Sequence, residues 1–190
     1  MIPKIGLFDV TLGVLYLFII YFCAFLYRNK KIKTNPEYKY FIIGLTAKLF
    51  GGIGFVLFSV YYYKGGDTFV FFNAGKGLSD YILTNFGLAM DVMIASAENL
   101  NLYQHNFAPT YNYILKSEDV LGIVKITSVI NIFSFNSYLI ASIFFAIFSF
   151  FGLWFAYSNM CKLYPKCSKY MLVAFLLIPT ALLWSSGILK

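Results

Sequence analysis

Residues 6–27 read GLFDVTLGVLYLFIIYFCAFLY, residues 28–39 read RNKKIKTNPEYK, and residues 40–62 read YFIIGLTAKLFGGIGFVLFSVYY. Two apolar runs of membrane-crossing length therefore flank a short basic linker, since about 20 residues at 1.5 Å rise cross the hydrocarbon core. Two further runs, Tyr138 to Asn159 and Tyr170 to Gly187, meet the same criterion, and the last contains Pro179. A kink is expected there, because proline lacks the N–H that a continuous helix requires. The composition agrees: 60% of the chain is hydrophobic and only 12% charged, where soluble domains carry roughly 25% charge. An ordinary soluble protein is excluded. The expectation is an all-α membrane protein, a single polytopic domain over 1–190 with four transmembrane helices.

Orientation follows from the basic residues, which accumulate in short cytoplasmic loops. The first linker holds Arg28, Lys30, Lys31, Lys33 and Lys39 against Glu37, and the linker after the third span holds Lys162, Lys166 and Lys169. Both are expected inside, which places the N-terminus outside. The stretch 63–137 has six acids, among them Asp67, Asp80 and Asp91, against four lysines, and is expected outside. The net charge of +7 is thus accounted for by topology. No basic patch is left for a nucleic-acid partner. The first span is expected to remain as a helix, because its basic cluster follows the apolar run and no cleavage motif is present. Cys23, Cys161 and Cys167 fall in a span or on the inner side, where thiols stay reduced, so no disulfide is expected. The single histidine, His105, and the absence of paired Cys/His spacing argue against a zinc site.

Seventy-five residues between the second and third spans exceed what a mere connection requires. Phe71, Ala74, Leu78, Ile82, Phe86, Ala89 and Met93 recur at helical spacing, giving one apolar face. After a loop from Asn99 to Tyr113, Ser117-Glu118-Asp119 has the form of a helix start with acids in the first turn, followed by Val120, Ile123, Val124, Ile130 and Phe133. Two amphipathic helices lying on the outer membrane surface are expected, with a re-entrant segment as the alternative.

Within the second span Gly44, Ala47, Gly51 and Gly54 form a small-residue stripe, which lets another helix approach closely. Lys48 neighbours that stripe. Two readings are open for it: an intramembrane charge aimed into a bundle or cavity, which marks function by default, or a side chain snorkelling back to the basic linker. Asp9, in the first turn of the first span, is expected to serve that helix end.

Tyr61-Tyr62-Tyr63-Lys64-Gly65-Gly66-Asp67-Thr68 carries an aromatic belt into a glycine turn that presents one carboxylate at the outer surface. Two roles fit Asp67. It is placed to act as general base on a hydroxyl acceptor, or to bind a divalent metal bridging a pyrophosphate, with Lys64 or Lys76 near the leaving phosphate. It also has the form of a plain helix N-cap. At the chain's end, Pro179-Thr180-Ala181-Leu182-Leu183-Trp184-Ser185-Ser186-Gly187-Ile188-Leu189-Lys190 brings a polar turn and a lysine to the same outer side, like the opening of a further loop.

The aromatic run into Gly65-Gly66-Asp67-Thr68, the paired surface helices, and Pro179 through Trp184-Ser185-Ser186-Gly187 and Lys190 resemble the N-terminal part of bacterial polytopic glycosyltransferases of the GT-C type. That class includes protein mannosyltransferases and the lipid A aminoarabinose transferase. The resemblance implies a multi-pass protein of the bacterial cytoplasmic membrane, and the front portion of a longer enzyme. It implies a sugar carried on polyprenyl phosphate, with Asp67 as catalytic base or metal ligand. It also places Ser185, Ser186 and Lys190 where they could face the carrier phosphate. The alternatives are a transporter or flippase component, which predicts Lys48 in a water-filled path, and a non-catalytic subunit of a membrane complex, which predicts Asp67 as a cap alone.

Overall fold

The computed structural model describes residues 2–96, 99 and 117–188. Among them the chain is helical and carries no strand. Three helical segments are long and apolar enough to cross a membrane: Leu7–Lys31, Pro36–Tyr63 and Tyr138–Leu163. The first is α1, whose N-terminus is closed by the Gly6 N–H donating to the Asp9 carboxylate at 2.7 Å. Asp9 thus satisfies an otherwise orphaned backbone donor, as expected of an acid in a first turn. At the other end Arg28, Lys30 and Lys31 sit in the last turn, where cations complement the helix dipole.

The second span is a composite. A 3₁₀ turn, Pro36–Tyr40, leads into α2, Phe41–Leu57, which widens into a π-helical turn over Phe58–Tyr63. Lys64, at φ 52°, ends that turn with its N–H donating to the Ser59 carbonyl at 2.8 Å. Next come α3, Asp67–Thr84, and α4, Phe86–Ile94. The described chain resumes in α5, Glu118–Phe133, and α6, Tyr138–Leu163. The loop expected from Asn99 to Tyr113, with His105, lies outside the described residues apart from Asn99.

The expected single stripe from Phe71 to Met93 is divided. Phe71, Ala74, Leu78 and Ile82 are buried as the spacing requires, but Asn85 leaves helical geometry at φ −128°, ψ 57°. The phase resets across that break. Phe86 is turned out, 80% exposed, while Val92 is buried. In α5, Val120, Val124 and Ile130 are buried as expected, whereas Phe133 is exposed. The two surface helices pack on each other, α3 against α5, and Gly75 lets Thr127 approach to a distance that a Cβ would obstruct. Their shared interface buries Ser79, Thr127, Ser128 and Asn131. A polar knot closes its end: Ser79 Oγ donates to Asn136 Oδ1, whose amide donates to Asp80 Oδ1, both at 3.0 Å. Lys125 donates to the Ala95 carbonyl at 2.6 Å, tying the end of α4 to α5. Partial burial draws its ammonium below the usual lysine range, and Glu118 partly offsets this.

The expected fourth span is not one helix. α7, Ser168–Leu176, stops at Leu177, and α8, Pro179–Trp184, begins only after Ile178 has taken an extended conformation at ψ 122°. The proline dictates this, because its ring excludes helical geometry at the preceding residue. A break replaces the expected kink. The resulting arm docks on α2. A Cβ at Gly44 would press on Leu176, one at Gly51 would overlap the Leu182 carbonyl, and one at Gly54 would meet Leu183 at an ordinary contact distance. The small-residue stripe is therefore the packing face for this arm.

Two cores result. At the basic end Tyr38, Phe41, Phe150 and Trp154 interlock, with Phe41 and Trp154 edge-to-face at 4.9 Å. At the aromatic end Phe69 and Phe72 each meet Tyr138 edge-on at 5.2 Å, joining α3 to the start of α6. Cys161 is buried, while Cys23 and Cys167 are exposed free thiols. Gly152 lies on the outer face of α6 with open space around it. Gly152→Ala is expected to leave the fold intact and to raise the melting temperature in detergent slightly, by up to about 1 kcal/mol of helix propensity. A lower melting temperature would place an unseen contact on that face.

Candidate functional site

At the aromatic end a cleft of about 260 Å³ opens between the close of α2, the first turn of α3 and the end of α8. Phe55, Phe58, Tyr63 and Trp184 line it with rings, Ser59 and Thr68 add hydroxyls, and Asp67 adds the single charge. Each wall has a local cause. The π-helical turn brings Phe58 parallel to Tyr62 at 5.1 Å and to Tyr63 at 6.3 Å, so the aromatic belt stacks on itself. Trp184 is placed by the broken arm, and its ring lies 6.2 Å from Phe55, edge-on. Gly66, at φ 102°, makes the sharp entry into α3 that a residue with a side chain rarely adopts.

Gly66 is also the residue that caps α3, and it does so without a side chain. Asp67 is the first helical residue and is exposed. The N-cap role expected for Asp67 is therefore corrected, since the cap position lies one residue earlier. Its carboxylate makes no hydrogen bond or ion pair among the described residues. Thr68, by contrast, is buried, its hydroxyl 3.0 Å from Tyr138 Oη. One acid is thus left without a partner among the described residues, in the first turn of α3.

The other expected site residues separate. Lys64 is exposed, three residues before Asp67, with no side-chain partner among the described residues. Lys76 is exposed nine residues further along α3, roughly 13 Å away by helix rise, and does not line the cleft. Ser186 is fully buried and donates to the Leu182 carbonyl at 2.6 Å, so it faces the bundle and not a phosphate. Ser185 is exposed and its hydroxyl donates to the Ala181 carbonyl. Lys190 lies outside the described residues. Trp184, passed over in favour of its serine neighbours, is the residue of that turn which reaches the cleft. Its signal was available in the sequence: an amphipathic ring directly before the Ser185-Ser186-Gly187 turn.

Lys48 does not snorkel. It is 1% exposed, and its ammonium donates to the Ala181 carbonyl at 2.8 Å and to the Ser185 hydroxyl. Ala181 lies in the short α8, whose last carbonyls lack helical partners, so a cation supplied from α2 satisfies them and suits the dipole. The lysine is thus bonded to the arm that carries Trp184. Among the described residues no three His, Cys, Asp or Glu side chains converge on one point, so Asp67 is not accompanied by a protein ligand set for a metal.

The chain matches no known protein family, no curated protein and no solved structure.

Proposed function

We propose that this chain acts as an integral membrane glycosyltransferase, moving a sugar from a polyprenyl-phosphate carrier to a hydroxyl acceptor at the outer face of a bacterial cytoplasmic membrane. The observation that carries this reading is the unpartnered Asp67 carboxylate in a cleft walled by four aromatic rings. Aromatic faces take the apolar side of a sugar ring, and a carboxylate accepts hydrogen bonds from its hydroxyls. In the proposed step Asp67 takes the proton from the acceptor hydroxyl as its oxygen bonds to the anomeric carbon. The bond from that carbon to the carrier phosphate breaks, and the phosphate leaves with the electron pair. Lys64, exposed in the turn beside the cleft though not part of its lining, is the cation assigned to the leaving phosphate in this reading. This step uses the carboxylate as a base, and among the described residues no further acid, histidine or cysteine joins Asp67 in a metal-ligand set.

Lys48 bears on the competing transporter reading. A lysine enclosed by the bundle and bonded to the arm has a structural task already, which does not favour a water-filled path through it. The test is Asp67→Asn, which keeps size and leaves the Gly66 cap in place. Membranes containing the protein are supplied with polyprenyl-phosphate sugars labelled in the sugar, and label in the acceptor fraction is counted. A loss of about a hundredfold at unchanged expression and melting temperature is expected for a general base. Undiminished transfer would remove Asp67 from the chemistry and favour a non-catalytic subunit.

A further inference from the structure

A second concavity lies at the opposite, basic end and is wholly unlike the first. Between α1, α2 and α6 runs an apolar groove of about 430 Å³, floored by Ala24, Phe41, Leu45 and Phe150 and edged by Ile19 and Phe151. Its origin is a loose seat for α1. Tyr21 Oη donates to Thr46 Oγ1 at 2.9 Å, and Tyr27 Oη lies 3.3 Å from Tyr38 Oη. Between those two tethers stands Ala24, too small to fill the gap to Phe41 and Phe150. The lining of α1 runs from Ile19 to Tyr27, roughly 12 Å by helix rise, all inside the membrane-crossing length.

The groove's face continues in register beyond its lining. Ile20, Ala24 and Arg28 recur every four residues, as do Cys23, Tyr27 and Lys31, so each cation follows a lining residue, Ala24 or Tyr27, by one helical turn at the basic end of the groove. Arg28 Nε is buried with no hydrogen-bond partner among the described residues, and its Nη1 reaches only sideways to Asn29 at 3.3 Å. The one acid of the linker does not compensate them. Glu37 is turned into the bundle, buried, and accepts a hydrogen bond from Ser158 at 3.0 Å.

We propose that this groove binds an anionic membrane phospholipid, with one acyl chain along Ala24, Leu45 and Phe150 and the phosphate at Arg28 and Lys31. The apolar trough supplies chain length without a polar group to satisfy, and the cations supply preference for a negative headgroup. This inference is independent of the chemistry at Asp67.

The test uses the full chain in detergent at low ionic strength, with bound lipid counted by native mass spectrometry. Phosphatidylglycerol and phosphatidylcholine of identical chains are compared. Two basic side chains near a headgroup predict a preference of about thirtyfold for phosphatidylglycerol, falling to under about threefold in Arg28→Gln/Lys31→Gln. Cys23→Phe, which fills the groove from its exposed edge, is expected to weaken both lipids alike and leaves the cations in place should the double variant misfold. Equal binding of the two lipids overturns the proposal. So does a preference undiminished in the double variant, which would place the phosphate on other lysines, and so does stronger retention of a polyprenyl phosphate than of phosphatidylglycerol.

Discussion

Lys48→Glu is expected to detach the α7–α8 arm from α2, while Lys48→Met leaves it docked. The reason lies in what the lysine faces. Its ammonium donates to the Ala181 carbonyl and the Ser185 hydroxyl inside the bundle, so a carboxylate in the same place would confront a carbonyl oxygen and a hydroxyl whose proton that carbonyl already takes. An uncompensated charge in a buried site destabilises by about 3–5 kcal/mol. Methionine behaves differently. It removes the desolvation cost of a buried ammonium and nearly fills the same volume, and the Ala181 carbonyl retains the Ser185 hydroxyl as a donor. Replacing a buried charge by an apolar side chain is often neutral. Cysteines introduced at 54 and 183, where a Cβ at 54 would lie 3.5 Å from the Leu183 side chain, report the docking by the yield of their joining with a short thiol cross-linker. A high yield in Lys48→Glu would show that the arm does not depend on this residue. A lost yield in Lys48→Met would show that the positive charge itself is required.

Gly51→Ala is expected to be as damaging as the charge reversal, although it adds one methyl group. At position 51 a Cβ overlaps the Leu182 backbone carbonyl, and a backbone cannot swing aside as a side-chain tip can. The whole arm has to shift, and forced overpacking of this kind costs on the order of 3 kcal/mol. Gly54→Ala is the matched control. It lies on the same helix with the same propensity gain, but its Cβ would meet only the Leu183 side chain at an ordinary 3.5 Å. Melting in detergent is expected to separate the two variants by several degrees, with Gly54→Ala near the wild type. Equal melting temperatures would mean that the arm sits further from α2 than the packing face implies.

The three long spans were legible because length and hydropathy together fix them, whatever the tertiary context. Continuity was not. Residues 170–187 have the composition of a span, yet Pro179 and the extended Ile178 divide them, and hydropathy registers neither event. The division at Asn85 escaped for a related reason: the apolar spacing continues past it, so the pattern alone offers no sign that the phase has changed. The small-residue stripe was legible as a packing face, but its partner was not, since Gly51 and Leu182 are joined only in space. Lys48 carries the same lesson, because its acceptors lie more than a hundred residues downstream. At the cleft, Gly65-Gly66 announced a turn, but glycine and aspartate both make acceptable caps, so the sequence left the capping residue undecided between neighbours.

The π-helical turn at Phe58–Tyr63 bears on how such a site is kept or lost. An α-helix advances 100° per residue, and a π turn accommodates one residue more than the same stretch of α-helix. The second span therefore delivers its last residues with a fixed angular offset from the face that α2 presents to the arm. The same residues with this turn closed as plain α-helix would keep the arm's packing face, the span's length and its hydropathy. That closure would rotate Tyr63 and the Gly66–Asp67 corner by roughly 100° about the helix axis. The carboxylate and the Trp184 ring would then no longer share a cleft, so their meeting is a matter of phase that neither composition nor span length controls.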